Sequence, residues 1–351
     1  MPLLFSNLSP LKTAQKSYAD VFRHLIEKSH AVNIATGYIS TDSLVDLKNI
    51  VEANNGPAID LCVGMHFFEG LTLSQMEALT TLNDFLRDKN LGQVRMVVTF
   101  PFHGKIASFS ENGKLIGSII GSSNLSNILD SQRQYEADFL LEDESDQKEL
   151  KDFLERLADV SSTPLEELKN VRIIEPKNDL LNDQIGVSPI SAEDLNSSRG
   201  NLSNISFEIP LKGDESQRSG LNASFGEGRR NLQGFVVPRS WYEVELIVPK
   251  AITGMPGYPR ADASGDTGCL DAITDDGWKF RCKVSGDYSK NFRSENDLKI
   301  LGRWMKGRME NAGSLKPGSK VTDKTLEKYG RSTLTLTKMN DGKWFIDFGV
   351  R

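Results

Sequence analysis

The chain has 351 residues and a formal net charge of −6, from 42 Lys and Arg against 48 Asp and Glu. Its hydrophobic content of 38% and charged content of 26% are ordinary for a globular protein and exclude a chain that is disordered throughout. No apolar run approaches the roughly 20 residues that cross a bilayer, and the first ten residues do not have the pattern of a signal peptide, so we expect no membrane partner.

The first half of the chain alternates helical and strand patterns. Helices are predicted at residues 11–29, 43–53, 73–90 and 146–161, with Asp42 as the N-cap of the second. Unbroken apolar strands are predicted between them at residues 31–39, 58–67 and 93–100, followed by a hairpin that turns at Asn112-Gly113 and a strand at 135–142. Thr163, Pro164 and Glu166 have the spacing of a capping box and predict a further helix start. This alternation predicts an α/β layered domain over residues 1–175.

The second half has a different pattern. Residues 176–205 are polar and poor in aromatic side chains, which predicts a linker. Short strands separated by turn residues then predict a small barrel-like or sandwich β domain over residues 206–351, with one helix near 298–311 and a strand at 320–330. Residues 201–351 carry 24 Lys and Arg against 19 Asp and Glu, whereas residues 1–200 carry 18 against 29. The basic half is therefore the candidate for binding a polyanion.

A group of polar residues with chemical potential lies between residues 103 and 136. His103 and Lys105 are two apart at a strand start, so their side chains are expected to face the same way. Gly121-Ser122-Ser123-Asn124 ends the next strand, and Glu136 lies near the start of the following one. Such a set suits phosphoryl chemistry, because an imidazole attacks phosphorus while Lys105 and Asn124 stabilise the added negative charge. Ser122 and Ser123 are candidate phosphate ligands, with ordinary turn residues as the alternative.

These motifs resemble the H-x-K…G-S-x-N signature of the phospholipase D superfamily, and Glu136 matches its downstream acidic residue. The family's Asp, five residues after the Lys, is replaced by Ser110, and the Asn before the Glu by Gln134. The variant without that Asp resembles the restriction endonucleases of the superfamily. The resemblance implies an N-terminal phospholipase D-like α/β/α domain and a C-terminal B3-like β-pseudobarrel that binds DNA. It also implies catalysis by His103, Lys105, Asn124 and Glu136, the last orienting the imidazole, without a metal or another cofactor.

The number of motifs predicts an assembly. Superfamily chemistry uses two histidines on opposite sides of phosphorus, and the chain has one H-x-K. We therefore expect a homodimer through the catalytic domain, with one composite active site. The resemblance also implies a cognate methyltransferase in the same restriction-modification system and leaves open a helicase-like ATPase partner.

Two polar stretches of the β domain are the predicted arms that read double-stranded DNA. They are rich in Arg, Asn and Gln, which can contact base edges in the major groove. The alternative is a pair of exposed loops with ordinary charge. The candidates are Ser224, Arg229, Arg230, Asn231 and Gln233 in the first stretch, and Tyr288, Lys290, Asn291, Arg293, Ser294, Asn296, Asp297, Arg303, Trp304 and Lys306 in the second.

The sequence therefore predicts a metal-independent, sequence-specific type II-like DNA endonuclease that works through a phosphohistidine intermediate. Two alternatives remain at this point: a phospholipase or other phosphodiesterase of the superfamily, and a catalytically inert DNA-binding protein, which Ser110 favours. Three widely separated cysteines indicate a reducing compartment, and we expect the cytoplasm.

Overall fold

A computed structural model describes residues 2–8, 10–125, 128, 135–174, 180–182, 184–213, 218–261 and 268–350. The chain divides into two compact units. Unit 1 comprises residues 1–176 and 228–238, and unit 2 comprises residues 177–227 and 239–351. Gln134 lies outside the described residues, as does part of the predicted linker, whose ends stay a prediction.

Unit 1 is built on an eight-stranded mixed sheet in the order β1-β8-β7-β6-β2-β3-β5-β9. Strands β2, β3 and β5 are parallel, and the pairs from β2 through β6, β7 and β8 to β1 are antiparallel. A separate parallel pair joins β4 and β10. The strands are β1 Leu3–Phe5, β2 Ala31–Thr36, β3 Ala58–Val63, β4 Leu71–Thr72, β5 Gly92–Val97, β6 Lys105–Glu111, β7 Lys114–Gly121, β8 Ala137–Leu141, β9 Ser162–Pro164 and β10 Ile173–Ile174.

Helices cover both faces of this sheet. Phe22 of the first helix packs edge-on against Phe109, whereas Leu154 of the fifth packs in one cluster with Ile106. Ile106 and Phe109 lie on opposite faces of β6, because they are an odd number of residues apart. The predicted α/β layered domain is therefore confirmed. The helices are α1 Tyr18–Lys28, α2 Thr41–Asn54, α3 His66–Glu69, α4 Leu73–Asp88 and α5 Glu144–Ser161.

Side-chain caps decide where these helices begin. Ser17 and Asp20 form a capping box, so α1 starts seven residues later than the apolar repeat alone predicts. The predicted cap Asp42 is wrong: it lies buried inside α2, and Ser40 is the N-cap. The predicted capping box at Thr163 is also wrong, because Thr163 and Pro164 belong to an edge strand that pairs with β5. The Asn112-Gly113 turn is confirmed, and both residues have the positive φ that a tight hairpin requires.

Unit 2 is a curled sheet in the order β12-β19-β20-β16-β17-β18-β15, with β11 paired to β17. Its inner side buries an aromatic core that includes Trp241, Phe280 and Phe348. The strands are β11 Ser188–Pro189, β12 Leu202–Pro210, β15 Leu246–Ile247, β16 Cys269–Thr274, β17 Trp278–Ser285, β18 Asn291–Ser294, β19 Thr333–Met339 and β20 Trp344–Asp347. The helices are α6 Ala192–Gly200, α7 Lys250–Thr253, α8 Lys299–Asn311 and α9 Asp323–Tyr329.

Two segments differ from the sequence-based expectation. Residues 323–329, predicted as strand, form α9, which starts at a Thr322–Thr325 capping box and ends at Gly330 with a φ of 93°. The hairpin of β13 (Arg229–Arg230) and β14 (Val236–Val237) belongs to unit 1, although the sequence around it belongs to unit 2. None of the helices in the described part of the chain combines the length and apolar composition that a membrane crossing requires.

Candidate active site

His103 lies in a short loop that leads into β6, and Lys105 is the first residue of that strand. The Lys105 ammonium lies 3.1 Å from both imidazole nitrogens of His103 and donates to the His103 carbonyl oxygen at 2.7 Å. The imidazole is exposed, whereas the lysine is half-buried. Imidazole and ammonium therefore lie together at the start of β6, as their spacing predicts.

Phe102 anchors this loop. Its ring is 8% exposed and packs in the cluster that includes Ile106 and Leu154, under α5. Gly64, after β3, approaches so closely that a Cβ there would lie 1.9 Å from the Phe102 carbonyl oxygen. The position of His103 therefore depends on a glycine outside the recognised motifs.

Asn124 contacts residues at the end of β2 and just after it, next to the His103–Lys105 pair. Its Oδ1 accepts from the backbone N–H of Tyr38 at 3.1 Å and lies 3.5 Å from Thr36 Oγ1. Thr36 pairs in register with Lys105 on the neighbouring strand. The end of β2 thus brings Asn124 and the His103–Lys105 pair together, although about 20 residues separate them in the chain.

Glu136 acts on Lys105 in this structure. Burial lowers the pKa of Lys105, and the negative charge of Glu136 opposes this lowering. The Glu136 carboxylate also accepts a short hydrogen bond from the Ser122 hydroxyl. The negative charge of Glu136 thus favours the charged form of Lys105, and its expected role in orienting the imidazole stays a prediction.

The two serines of the GSSN loop have partners within the protein. Ser123 donates its N–H and its hydroxyl to the carboxylate of the buried Asp138, at 3.0 and 2.7 Å. Burial raises the pKa of Asp138, and these hydrogen bonds oppose the rise. Ser122 donates its hydroxyl to Glu136 and accepts from the N–H of Ala137 at 3.0 Å. These hydrogen bonds hold the loop, and the expectation that the two serines bind phosphate stays a prediction.

Ser110, at the position of the family's Asp, does not belong to this site. It pairs with Ala31 near the far end of β6, five residues from Lys105. At about 3.3 Å per residue this places it roughly 16 Å from Lys105 along the strand. The site is therefore assembled without any group at position 110.

His66 is a buried histidine whose ring is held by the backbone. One ring nitrogen contacts the Gly70 carbonyl at 2.9 Å, and the other contacts the Ile39 N–H at 3.3 Å. Burial lowers the pKa of His66. With both nitrogens engaged by the backbone and the ring kept neutral, His66 does not provide a second catalytic imidazole.

The predicted DNA-reading residues fall into three groups. Buried in unit 2 are Ser224, Ser294, Arg303, Trp304 and Lys306. In the unit 1 hairpin lie Arg229, Arg230, Asn231 and Gln233, with Asn231 donating to Glu27. On the surface or partly exposed in unit 2 are Tyr288, Lys290, Asn291, Arg293, Asn296 and Asp297.

The prediction that the buried group contacts DNA is wrong. Arg303 donates to Gln184 Oε1 at 3.0 Å, and the Trp304 indole donates to Asp276 at 2.9 Å. The Lys306 ammonium donates to the Trp241 carbonyl oxygen and is 0% exposed. These side chains are internal partners of the unit 2 core, so they are removed from the proposed DNA contacts.

A basic strip on β17 is absent from the predicted DNA-reading residues. Its pattern alternates buried residues with Lys279, Arg281 and Lys283, which face outward together. Lys283 lies opposite Arg293 of β18, which extends the strip across two strands. Arg281 is partly neutralised by Glu295 at 3.1 Å. The alternation of basic and apolar residues over residues 278–284 was the signal that could have found this strip.

Comparisons with known proteins agree with this two-part organisation. Residues 16–170 match the family model of the NgoFVII restriction endonuclease N-terminal PLD domain, and residues 198–340 match that of the NgoFVII C-terminal B3-like DNA-binding domain. The chain belongs to the NgoFVII restriction endonuclease family. It is thus a phospholipase D-type restriction nuclease with a B3-like DNA-binding domain, and the predicted fold class is confirmed for both halves.

Solved structures resemble part of this chain more distantly. Nuc from Salmonella typhimurium, described as a phospholipase D family member, is 13% identical over 46% of this chain and 95% of its own, with a TM-score of 0.33. NucT from Helicobacter pylori is 14% identical over 41% and 88%, with a TM-score of 0.31. Polyphosphate kinase from Porphyromonas gingivalis is 20% identical over 49% of this chain and only 26% of its own, with a TM-score of 0.33. No curated protein sequence matches the chain.

Proposed function

We propose that this family member is a metal-independent, sequence-specific DNA endonuclease that cleaves through a phosphohistidine intermediate. The observation that carries the proposal is the convergence of His103, Lys105 and Asn124 around the end of β2. The exposed imidazole has the access to a phosphodiester that a nucleophile needs. The ammonium beside it and the amide of Asn124 supply the hydrogen-bond donors that stabilise charge on phosphorus oxygens.

The reaction proceeds in two displacements. A nitrogen of His103 attacks phosphorus, the bond to the 3′ oxygen breaks, and the strand's 5′ phosphate stays on the imidazole. An acid on the opposite side protonates the leaving 3′ oxygen. Water, deprotonated by the same group, then displaces His103 and leaves a 5′ phosphate and a 3′ hydroxyl.

The acid in this scheme is His103 of the partner subunit. His66 is engaged on both ring nitrogens, and His30 pairs through its backbone with Ser110 near the far end of β6. A homodimer that places two copies of the site about one two-fold axis supplies the missing imidazole. A cognate methyltransferase and a cytoplasmic location belong to the same proposal.

Removal of metal tests the proposed chemistry. We expect DNA cleavage to continue at the same rate in excess EDTA, because the positive charges of Lys105 and the donors of Asn124 replace a metal ion. The measurement is cleavage of a mixed-sequence plasmid by the full chain, followed by sequencing of the ends. A metal-dependent restriction enzyme in the same buffer is the control and should stop.

Restoration of cleavage by Mg²⁺ after EDTA treatment would contradict the metal-independent mechanism. If the chain alone fails to cut with and without Mg²⁺, we expect that a helicase-like ATPase partner is required, and adding such a partner with ATP should restore cutting. End sequences with a 3′ phosphate would contradict the assigned leaving group.

The basic strip of β17 is proposed as a contact for the DNA backbone. Loss of two phosphate contacts in a Lys279→Ala, Lys283→Ala double variant is expected to reduce the slope of log affinity against log salt by about 2, since each contact releases close to one counterion. Specificity between cognate and unrelated duplexes should change little, because phosphate contacts carry no sequence information. The matched control removes two exposed lysines of unit 1, Lys89 and Lys148. An unchanged slope in the β17 variant would place the DNA on another face.

A further inference from the structure

Tyr38 links the two parts of the candidate site, although it belongs to no recognised motif. It lies two residues after the end of β2, in the loop that continues to Ile39. Its ring contacts His103, its backbone N–H contacts Asn124, and its hydroxyl contacts Glu69. A single residue therefore touches both a candidate nucleophile and a candidate phosphate ligand.

The ring of Tyr38 restricts the imidazole. The centroids of the two rings are 5.5 Å apart at an angle of 81°, which is an edge-to-face contact. Gly37 bounds the imidazole as well, since a Cβ there would lie 3.1 Å from His103 Cδ2 and 3.2 Å from its Cα. An exposed imidazole otherwise samples several rotamers, and in-line attack on phosphorus needs one of them.

The backbone of Tyr38 orients the amide of Asn124. The Tyr38 N–H donates to Asn124 Oδ1 at 3.1 Å and so holds the oxygen of the amide. Thr36 supports this arrangement, because its hydroxyl donates to the Tyr38 carbonyl at 2.9 Å and accepts from the Leu125 N–H at 3.1 Å. An amide whose oxygen is held has a defined direction for its two N–H donors. A phosphate oxygen accepts hydrogen bonds, so these N–H groups are the part of the amide that it can contact.

The hydroxyl of Tyr38 fixes the ring from its outer end. It lies 3.0 Å from both carboxylate oxygens of Glu69. Burial, followed by the hydrogen bond and charge of Glu69, raises the pKa of Tyr38, so the phenol remains protonated and continues to donate. The second edge-to-face neighbour is His66, at 5.5 Å and 89°, which is itself held by the backbone at both nitrogens. The ring is thus fixed at its hydroxyl and packed against a rigid neighbour.

We propose that Tyr38 is a positioning residue that holds the His103 imidazole for attack and sets the direction of the Asn124 amide. The inference rests on the proposed function, because it assigns Tyr38 to the phosphoryl-transfer site. The side chain acts on the nucleophile alone, since Asn124 is held by the backbone. Loss of the ring therefore misplaces the imidazole and leaves the amide contact in place.

The test compares Tyr38→Ala and Tyr38→Phe in the full-length protein. With the mixed-sequence plasmid at saturation, the single-turnover cleavage rate of Tyr38→Ala is expected to fall about 10- to 100-fold, since a misplacement of about 1 Å costs up to 10²-fold. The dissociation constant for DNA should stay unchanged, because the imidazole and not the binding surface is displaced. Tyr38→Phe keeps the ring and should restore most of the rate. Phe85→Ala, which removes a partly buried ring from α4, is the matched control and should cut at the wild-type rate.

A second variant distinguishes a misplaced imidazole from a misfolded protein. Gly37→Ala keeps Tyr38 intact but pushes the imidazole by a few tenths of an ångström, and it should lower the single-turnover rate with DNA affinity and melting temperature unchanged. Wild-type rates in both Tyr38→Ala and Gly37→Ala would overturn the proposal. Equal losses in Tyr38→Phe and Tyr38→Ala would also overturn it, because the hydroxyl and not the ring would then be responsible. If His103→Ala cuts DNA at the wild-type rate, the proposed function is wrong. If His103→Ala is inactive while Tyr38→Ala and Gly37→Ala cut at the wild-type rate, the proposed function stands and the proposed role of Tyr38 is wrong.

Discussion

Replacement of His103 by alanine is expected to lower the single-turnover rate of DNA cleavage by about 10⁴-fold or more, because it removes the nucleophile and, in a homodimer, the acid as well. Affinity for DNA should change little. The His103 side chain is exposed, and its loss removes no buried contact of the core that Phe102 anchors. Cleavage assays and duplex binding by the same preparation measure both quantities.

His30→Ala provides the matched control for this experiment. His30 is another histidine of unit 1, but its backbone pairs with Ser110 near the opposite end of β6. It should therefore leave cleavage intact. The assignment of the nucleophile is wrong if His103→Ala still cuts, or if a phosphorylated form trapped during turnover carries the phosphate on another residue.

Substitution of Gly64 by alanine is expected to damage both activity and stability, although the residue touches no reacting group. A Cβ would come within 1.9 Å of the Phe102 carbonyl oxygen and 2.8 Å of its carbonyl carbon, and backbone atoms cannot turn aside as a side chain can. The loop that carries His103 must then shift. We expect roughly 1–3 kcal/mol of destabilisation from this overpacking and about a 10²-fold loss of cleavage rate from the misplaced imidazole.

Gly200→Ala is the matched glycine control, since a Cβ at Gly200 finds open space. Denaturant unfolding and single-turnover cleavage should be unaffected in that variant. A Gly64→Ala protein with wild-type stability and rate would mean that the Phe102 loop tolerates displacement, and that the close approach of the two backbones does not position His103.

The regular part of the fold could be predicted from the sequence, because helix and strand periodicities are local. The errors occur where a short polar pattern has two readings. Thr322 with Thr325, followed by Gly330, is a helix cap and a helix end, yet residues 320–330 also fit a strand bounded by turns. Thr163-Pro164 fits a helix start, but its pairing with β5 in the folded chain decides for strand.

The predicted DNA-binding residues show more clearly that a local pattern can be interpreted in two ways. Arg303 and Lys306 were selected for their charge, yet α8 buries both beneath Tyr242 and Trp241, whose rings lie 5.6 and 5.1 Å from the cations. Composition reports how many cations a segment has, but not which way they face. In contrast, the alternation on β17 encodes the outward direction of Lys279 and Lys283 within the segment itself.

The sequence by itself determined the family, the order of the two domains and the identity of the candidate nucleophile, because each depends on residue types at short, countable spacings. Only the tertiary structure decided that Asn124 meets Lys105 through Thr36, that Glu136 accepts from Ser122, that Ser122 and Ser123 hold their loop, and that Tyr38 and Gly64 shape the surroundings of His103. These relations join residues from about 14 to more than 80 positions apart. They arise from strand pairing and close packing, which no local spacing encodes.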